Sequence, residues 1–258
     1  MKPNRVKRLL QEGKSACGTW ISLCSPMAAE VVGLAGFDWL LIDMEHGAGD
    51  YQTLVSQLQA IAAAGESEPI VRVQWNDPVV VKRVLDAGAR GVMIPGIRTV
   101  EEARRAIAST KYPPQGFRGI ASVRGGQYGL DTGYLKEANG NVLVFLQIET
   151  RDAVQGIDAI LDIPGIDVCF IGPNDLAADL GHIGEMGHPE VVSAIARVEA
   201  AAKARNIPLG TVSRGWDAAQ ALFEKGYRAV SVQSDLNFLL TASRQAVERF
   251  RSHPAGKR

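Results

Sequence analysis

The chain has 258 residues, 46% of them apolar, with a mean hydropathy of zero and 28 basic residues against 28 acidic ones. That length suits one large domain or two small ones, and α/β barrels commonly reach it. A balanced charge provides no bulk field to attract nucleic acid or acidic lipid. No apolar stretch is long enough for a membrane span, and the basic start, Met1 to Lys14, lacks the apolar stretch of a secretion signal. Cys17, Cys24 and Cys169 form no C-x-x-C pair, and three scattered cysteines read as reduced thiols of a cytoplasmic protein.

Eight short apolar runs recur, each followed by an amphipathic helical pattern: Cys17–Leu23, Trp39–Met44, Ile70–Trp75, Gly91–Ile97, Val142–Glu149, Val168–Gly172, Pro208–Val212 and Ala229–Gln233. Ser25-Pro26 and Asp77-Pro78 are helix starts, a capping side chain followed by proline at the first helical position. Thr99-Val100-Glu101-Glu102 has the form of a capping box. Gly36 and Gly226 stand where helices end. Eight strand–helix units without a break in composition predict a closed (β/α)8 TIM barrel, one domain over residues 1–258. An open doubly wound sheet is the alternative, and no glycine-rich dinucleotide fingerprint follows the first strand to support it. About thirty residues, Lys111 to Asn141, separate the fourth helix from the fifth strand. Their basic and aromatic content suits a lid or a subunit contact. The polar tails, Met1–Arg8 and His253–Arg258, read as loose.

Strand interiors of a barrel call for branched aliphatics, so polar residues in the inward phase carry information. Alternation places Phe145, Gln147 and Glu149 on one face of the fifth strand. The sixth run breaks at Gly172-Pro173, and Asp175 then opens a helix. Glu149 and Asp175, from neighbouring strand ends, suit Mg2+ or Mn2+, which keep several waters and take one or two carboxylates. The competing account pairs Glu149 with an interior arginine and leaves Asp175 as a cap. Arg72 shares a face with Gln74, and Asp43 with Leu41. A buried arginine needs a carboxylate or a ligand, so Arg72 either pairs with Asp43 or Glu149 or directs its charge at a developing oxyanion. His46 follows the second strand, where barrel catalysts sit, and is the candidate general base. His188 precedes Pro189 at a helix start, His182 lies in a loop and His253 in the tail. No lysine lies in a strand, which disfavours a Schiff-base mechanism. The amides that open the helix after Gly172-Pro173 can hold a carboxylate. Metal, arginine and helix start together suit a 2-keto acid.

Five runs extend this reading: Leu41-Ile42-Asp43-Met44-Glu45-His46-Gly47, Val71-Arg72-Val73-Gln74-Trp75-Asn76-Asp77, Pro113-Pro114-Gln115-Gly116-Phe117-Arg118-Gly119, Gln147-Ile148-Glu149-Thr150 and Ile171-Gly172-Pro173-Asn174-Asp175-Leu176. In this order they resemble the HpcH/HpaI family of class II pyruvate aldolases, which act on compounds such as 4-hydroxy-2-oxoheptanedioate and 2-dehydro-3-deoxyglucarate. The resemblance spans roughly Gly18 to Phe250. It implies reversible cleavage of a 4-hydroxy-2-oxo acid to pyruvate, or hydroxypyruvate, and an aldehyde, through a metal-stabilised enolate. Glu149 and Asp175 would ligate Mg2+, Mn2+ or Co2+, and Arg72 would polarise the carbonyl. Gln147 and the backbone near Asn174 and Asp175 would hold the substrate. His46 would take the proton of the C4 hydroxyl, and Asp86 would raise its basicity. Asp86 ends the third helix, at the face opposite His46, so the expectation is that it serves His46 of the partner subunit in a homohexamer built as a trimer of dimers. Asn174 and the stretch Ser122–Gly129 depart from the family pattern beside the ligand and in the lid. Two other functions fit the class: cleavage of a hydroxyacyl or malyl-type CoA thioester, which lacks an evident basic nucleotide site here, and a non-catalytic acid-binding barrel.

Overall fold

A computed structural model describes residues 2–253. Eight parallel strands close in sequence order into a barrel: β1 (Ala16–Ile21), β2 (Trp39–Asp43), β3 (Glu68–Arg72), β4 (Gly91–Ile94), β5 (Leu143–Ile148), β6 (Val168–Ile171), β7 (Leu209–Ser213) and β8 (Ala229–Ser234). The (β/α)8 expectation holds, and the open sheet is excluded because β8 pairs back onto β1. Strand ends differ from the sequence reading by a few residues. The largest difference is in β3, which begins at Glu68 and stops at Arg72, so Val73–Trp75 belong to the loop beyond the strand's C-terminal end.

Alternation divides the strand side chains into two layers. Trp39, Leu41, Ile70, Met93, Phe145 and Phe170 fill the barrel interior, while Leu40, Ile42, Val71, Val92, Leu146 and Ile171 pack outward against helices. Phe145 stacks on Phe170 and meets Trp39 edge-on, a geometry favoured by aromatic quadrupoles. Gly18 in β1 is required by this packing, because a Cβ there would lie 2.0 Å from the Trp39 ring. The helix starts form as expected. Ser25 accepts from the amide of Ala28, Asp77 from Val79 and Val80, and Thr99 and Glu102 form the complete capping box.

Two expectations are corrected. The leading residues are not a loose tail, because Arg5–Gln11 form a helix whose Val6 and Leu10 join the interior cluster at the strands' N-terminal end. Their four-residue spacing puts both on one helix face. Of the trailing tail, residues 254–258 lie outside the described residues. The connection of residues 111–141 is not a lid over its own barrel mouth. It leaves the end of helix Val100–Ser109 and enters the start of β5, which places it at the rim opposite the strand tips. It carries a short 3-10 turn at Arg124–Gly129 and a helix at Tyr134–Asn141, and Tyr112, Tyr134 and Ala138 form a small core of their own.

One helix leaves much of its apolar face uncovered, although Phe238 stacks on Phe37. Asp235–Ser252 follows β8, and beyond Asp235 it leaves Leu236, Leu239, Leu240, Val247 and Phe250 exposed. Among the described residues no helix is long and apolar enough to cross a membrane, and all three cysteines are free thiols.

Candidate active site

The strand tips surround a cavity of about 730 Å3. Its base is aromatic, from Trp20 and Phe170, and its walls are polar: Arg72 from β3, Gln147 from β5, residues 172–175 beyond β6, Ser213 and Arg214 at β7, and Gln233, Ser234 and Asn237 at β8. His46 stands at the edge, its side chain 69% exposed and Nε2 3.9 Å from Glu45 Oε2.

Arg72 resolves the choice posed by the sequence. Its Nε and Nη2 donate to the two oxygens of Asp43 at 3.0 and 2.8 Å, and Nη1 lies 2.9 Å from Glu45 Oε2. The guanidinium rests 4.4 Å above the Trp20 ring centroid, a cation–π contact that fixes its plane. Asp43 also accepts from the amides of Glu45 and His46, so this buried pair is saturated with hydrogen bonds, the condition for a buried ion pair to be tolerated. The pairing with Asp43 occurs and the pairing with Glu149 does not. Arg72 nevertheless lines the cavity.

Glu149 is buried, with 7% exposure. Its Oε1 accepts from the Gly96 amide at 2.7 Å and its Oε2 from the Gln147 side-chain amide. Burial, assisted by the nearby charges of Asp175 and Glu45, pushes its carboxyl up to about 7 despite those hydrogen bonds. Burial also raises the Glu45 carboxyl, with Arg72 opposing. Asp175 lies exposed in the first turn of helix Pro173–Asp179, beside Asn174. A Cβ at Gly172 would sit 2.9 Å from Glu149 Oε2, so glycine keeps this cradle open. The Oε1 of Gln147 is buried without a partner among the described residues. Three mutually repelling carboxylates, one buried and held by two donors, fit a hard divalent cation with oxygen ligands.

Asp86 is not part of this cluster. At the end of helix Pro78–Asp86 it accepts from Arg118 Nη2 at 2.7 Å, and Arg118 also reaches Tyr134 Oη at 3.1 Å. Sequence reasoning passed over Glu45, although it lies two residues beyond Asp43 and so shares its phase. It also passed over Arg214, a charge directly at a strand tip, and Trp20, whose Nε1 is tied to Ser231 Oγ at 2.8 Å. Among the described residues Lys111, whose pKa burial lowers to about 8, donates to Asn139 O in the opposite-rim connection and does not line the cavity.

A closed parallel barrel that gathers an arginine, several acids and a histidine at its strand tips has the arrangement that barrel enzymes use at that face. The chain belongs to the HpcH/HpaI aldolase/citrate lyase family, whose model matches residues 16–242. It is 41% identical over 250 residues to the 5-keto-4-deoxy-D-glucarate aldolase of Citrobacter koseri, covering 96% of this chain and 97% of that one. A family protein from Burkholderia cenocepacia superposes with a TM-score of 0.93 at 44% identity, covering 96% of this chain and all of the other. The HpcH/HpaI aldolase of Desulfitobacterium hafniense gives 0.88 at 30% identity, with 98% of each chain covered. The protein is accordingly an aldolase.

Proposed function

We propose that this aldolase is divalent-metal dependent and reversibly cleaves a 4-hydroxy-2-oxo acid to pyruvate, or hydroxypyruvate, and an aldehyde. The observation that carries the reading is Glu149: a buried carboxylate, crowded by Asp175 and Glu45 and bonded to Gln147, which lines the cavity together with Arg72 and Asp175. Glu149 and Asp175 would hold Mg2+, Mn2+ or Co2+, which supplies Lewis-acid polarisation of the keto group when bound.

The chain's own residues account for the remaining work. Amides at the start of helix Pro173–Asp179, next to Asn174 and Asp175, and the Gln147 side chain hold the 2-oxo acid. His46 accepts the C4 hydroxyl proton, the C3–C4 bond breaks, and its electron pair passes into the keto group as the aldehyde departs. Arg72 stabilises the negative charge that develops on the enolate oxygen. Protonation at C3 then yields pyruvate. The aldehyde half faces Ser213, Arg214, Gln233 and Asn237. Arg214 makes no ion pair among the described residues, so a carboxylated, hydroxylated aldehyde matches this wall, as does the relative named for a sugar diacid.

We further propose a hexamer, a trimer of dimers, in which Asp86 serves His46 of the partner subunit. Its position at the opposite rim supports this, as do the exposed apolar residues on helices Pro26–Gly33 and Asp235–Ser252 and at Phe117, Ile120 and Leu130. The functional test is pyruvate C3 proton exchange and aldol product formation over a panel of neutral and carboxylated aldehydes. Chelation should abolish both, and Mg2+, Mn2+ or Co2+ should restore them, with no adduct trapped by borohydride. Activity that survives chelation, or a lysine adduct, refutes the reading.

A further inference from the structure

Outside the cavity, three side chains that aldol chemistry does not use converge. His182 lies between helix Pro173–Asp179 and helix Pro189–Ala204, His188 caps the second helix, and Glu190 lies in its first turn. His182 Nε2 is 2.8 Å from Glu190 Oε2. The two imidazoles stack with centroids 3.4 Å apart and planes 18° from parallel. One ligand atom from each of the three residues lies within 4.8 Å of the others.

We propose that His182, His188 and Glu190 form a second divalent-cation site, selective for imidazole-preferring ions such as Zn2+, Ni2+ or Co2+ and separate from the Glu149–Asp175 pair. The donor sets sort the two sites. Two imidazoles and a carboxylate suit the later transition ions, whereas Mg2+ prefers an all-oxygen shell. Bonds of about 2.0–2.1 Å place tetrahedral ligands ~3.3 Å apart, and a water completes the four. Binding would require side-chain rotation to close the observed spread of up to 4.8 Å to that distance. Arg151 Nη1 holds the other oxygen of Glu190 at 3.0 Å, which orients Oε2 towards the imidazoles as an outer-shell partner.

Proton balance follows from the geometry. A hydrogen bond joins His182 Nε2 to Glu190 Oε2 at 2.8 Å, and an ion bound between them replaces it, with the neutral ring carrying its proton on Nδ1. His188 Nδ1 accepts from the Glu190 amide at 3.3 Å, and a neutral imidazole has only one lone pair. An ion on Nδ1 replaces that long cap bond, and an ion on Nε2 moves the proton to Nδ1 and ends it. The site acts as a brace. Arg151 also donates to Leu180 O at 3.2 Å and through its amide to Asp179 Oδ2 at 2.7 Å, so the ion would link His182, His188 and Glu190 to the end of the helix that carries Asp175.

The test uses untagged full-length protein, stripped of metal, saturated with Mg2+ and titrated with Zn2+ by calorimetry, and with Co2+ by visible absorption. We expect one equivalent per chain that Mg2+ does not displace, imidazole ligands in the X-ray absorption spectrum, and a Zn2+-dependent rise in Tm. Glu149→Gln should keep this equivalent. His182→Gln and His188→Asn should lose it, and asparagine preserves the helix cap so that folding is retained. Absence of the extra equivalent, or its persistence in both histidine variants, overturns the proposal. Its loss in Glu149→Gln alone does the same and would assign all binding to the catalytic pair.

Discussion

The sharpest consequence of the site is that Glu149 destabilises the metal-free protein at neutral pH. Its carboxyl rises from an ordinary 4.5 to about 7. At ~1.4 kcal/mol per tenfold in proton affinity, that rise corresponds to about 3 kcal/mol. The sign follows from linkage. A raised acid favours the folded state while protonated, so this contribution is complete below pH 4.5 and lost as pH climbs through 7. Glu149→Gln is neutral at every pH. Its carbonyl can still accept from the Gly96 amide, and Gln147 can turn its amide so that the unpartnered Oε1 meets the new NH2 group.

Glu149→Gln should therefore match the wild type near pH 4.5 and exceed its stability by up to about 3 kcal/mol above pH 7.5 in chelator. Mg2+ should reverse the order at high pH by stabilising only the wild type. Urea unfolding followed by tryptophan fluorescence, at one protein concentration to keep assembly constant, reads the difference directly. A difference that does not vary with pH, or a glutamine variant that is the less stable at pH 8 without metal, would refute the argument. By the same protonation, metal binding at the proposed site should fall about tenfold per pH unit below 7, because the ion must displace a proton.

Arg72→Lys keeps a charge but cannot fork onto Asp43, and it should cost turnover and pyruvate proton exchange alike about 3 kcal/mol, read as kcat/KM; equal activity would remove Arg72 from the chemistry. His46→Ala should reduce cleavage by about a hundredfold or more while sparing exchange, and equal losses in both reactions would contradict its assignment to the hydroxyl proton. Mixed oligomers of His46→Ala and Asp86→Asn, each nearly inactive alone, should regain activity if Asp86 serves His46 of the partner subunit. Asparagine keeps an acceptor for the buried Arg118, so an active Asp86→Asn protein, or silent hybrids verified by mass spectrometry, would end the shared-site reading.

The barrel was legible because period-two alternation and helix caps are local signals. Phe145, Gln147 and Glu149 declare the inward face of β5 through their spacing alone. The leading helix was missed because three apolar residues, Val6, Leu9 and Leu10, among five basic ones in Met1–Lys14 make a weak amphipathic signal. Its burial depends on the open barrel end that it covers. The long connection was misplaced for a different reason. Basic and aromatic composition says that a segment touches something, whereas only the direction of the preceding helix says at which rim. The Asp86–Arg118 pair, 32 residues apart in the chain, depends on how that connection folds back, and no spacing rule encodes it.

Arg72 shows most clearly where local reading stops. The sequence offered it two acids, Asp43 and Glu149, and the choice between them decides what the barrel mouth can bind. Register pairs Asp43 with Arg72 directly across β2 and β3, so the nearer acid takes the fork, and Glu45, one phase further on, takes the remaining nitrogen. Glu149 reaches the mouth two strands away and receives only the neutral donors of Gly96 and Gln147. Strand register thus consumes the arginine's hydrogen bonds on one side of the mouth and leaves Glu149 and Asp175 without a protein cation on the other. Had Arg72 turned to Glu149, that acid would have been neutralised within the chain; held by Asp43 and Glu45, it leaves the charges of Glu149 and Asp175 uncompensated, which is what the proposed cation site requires.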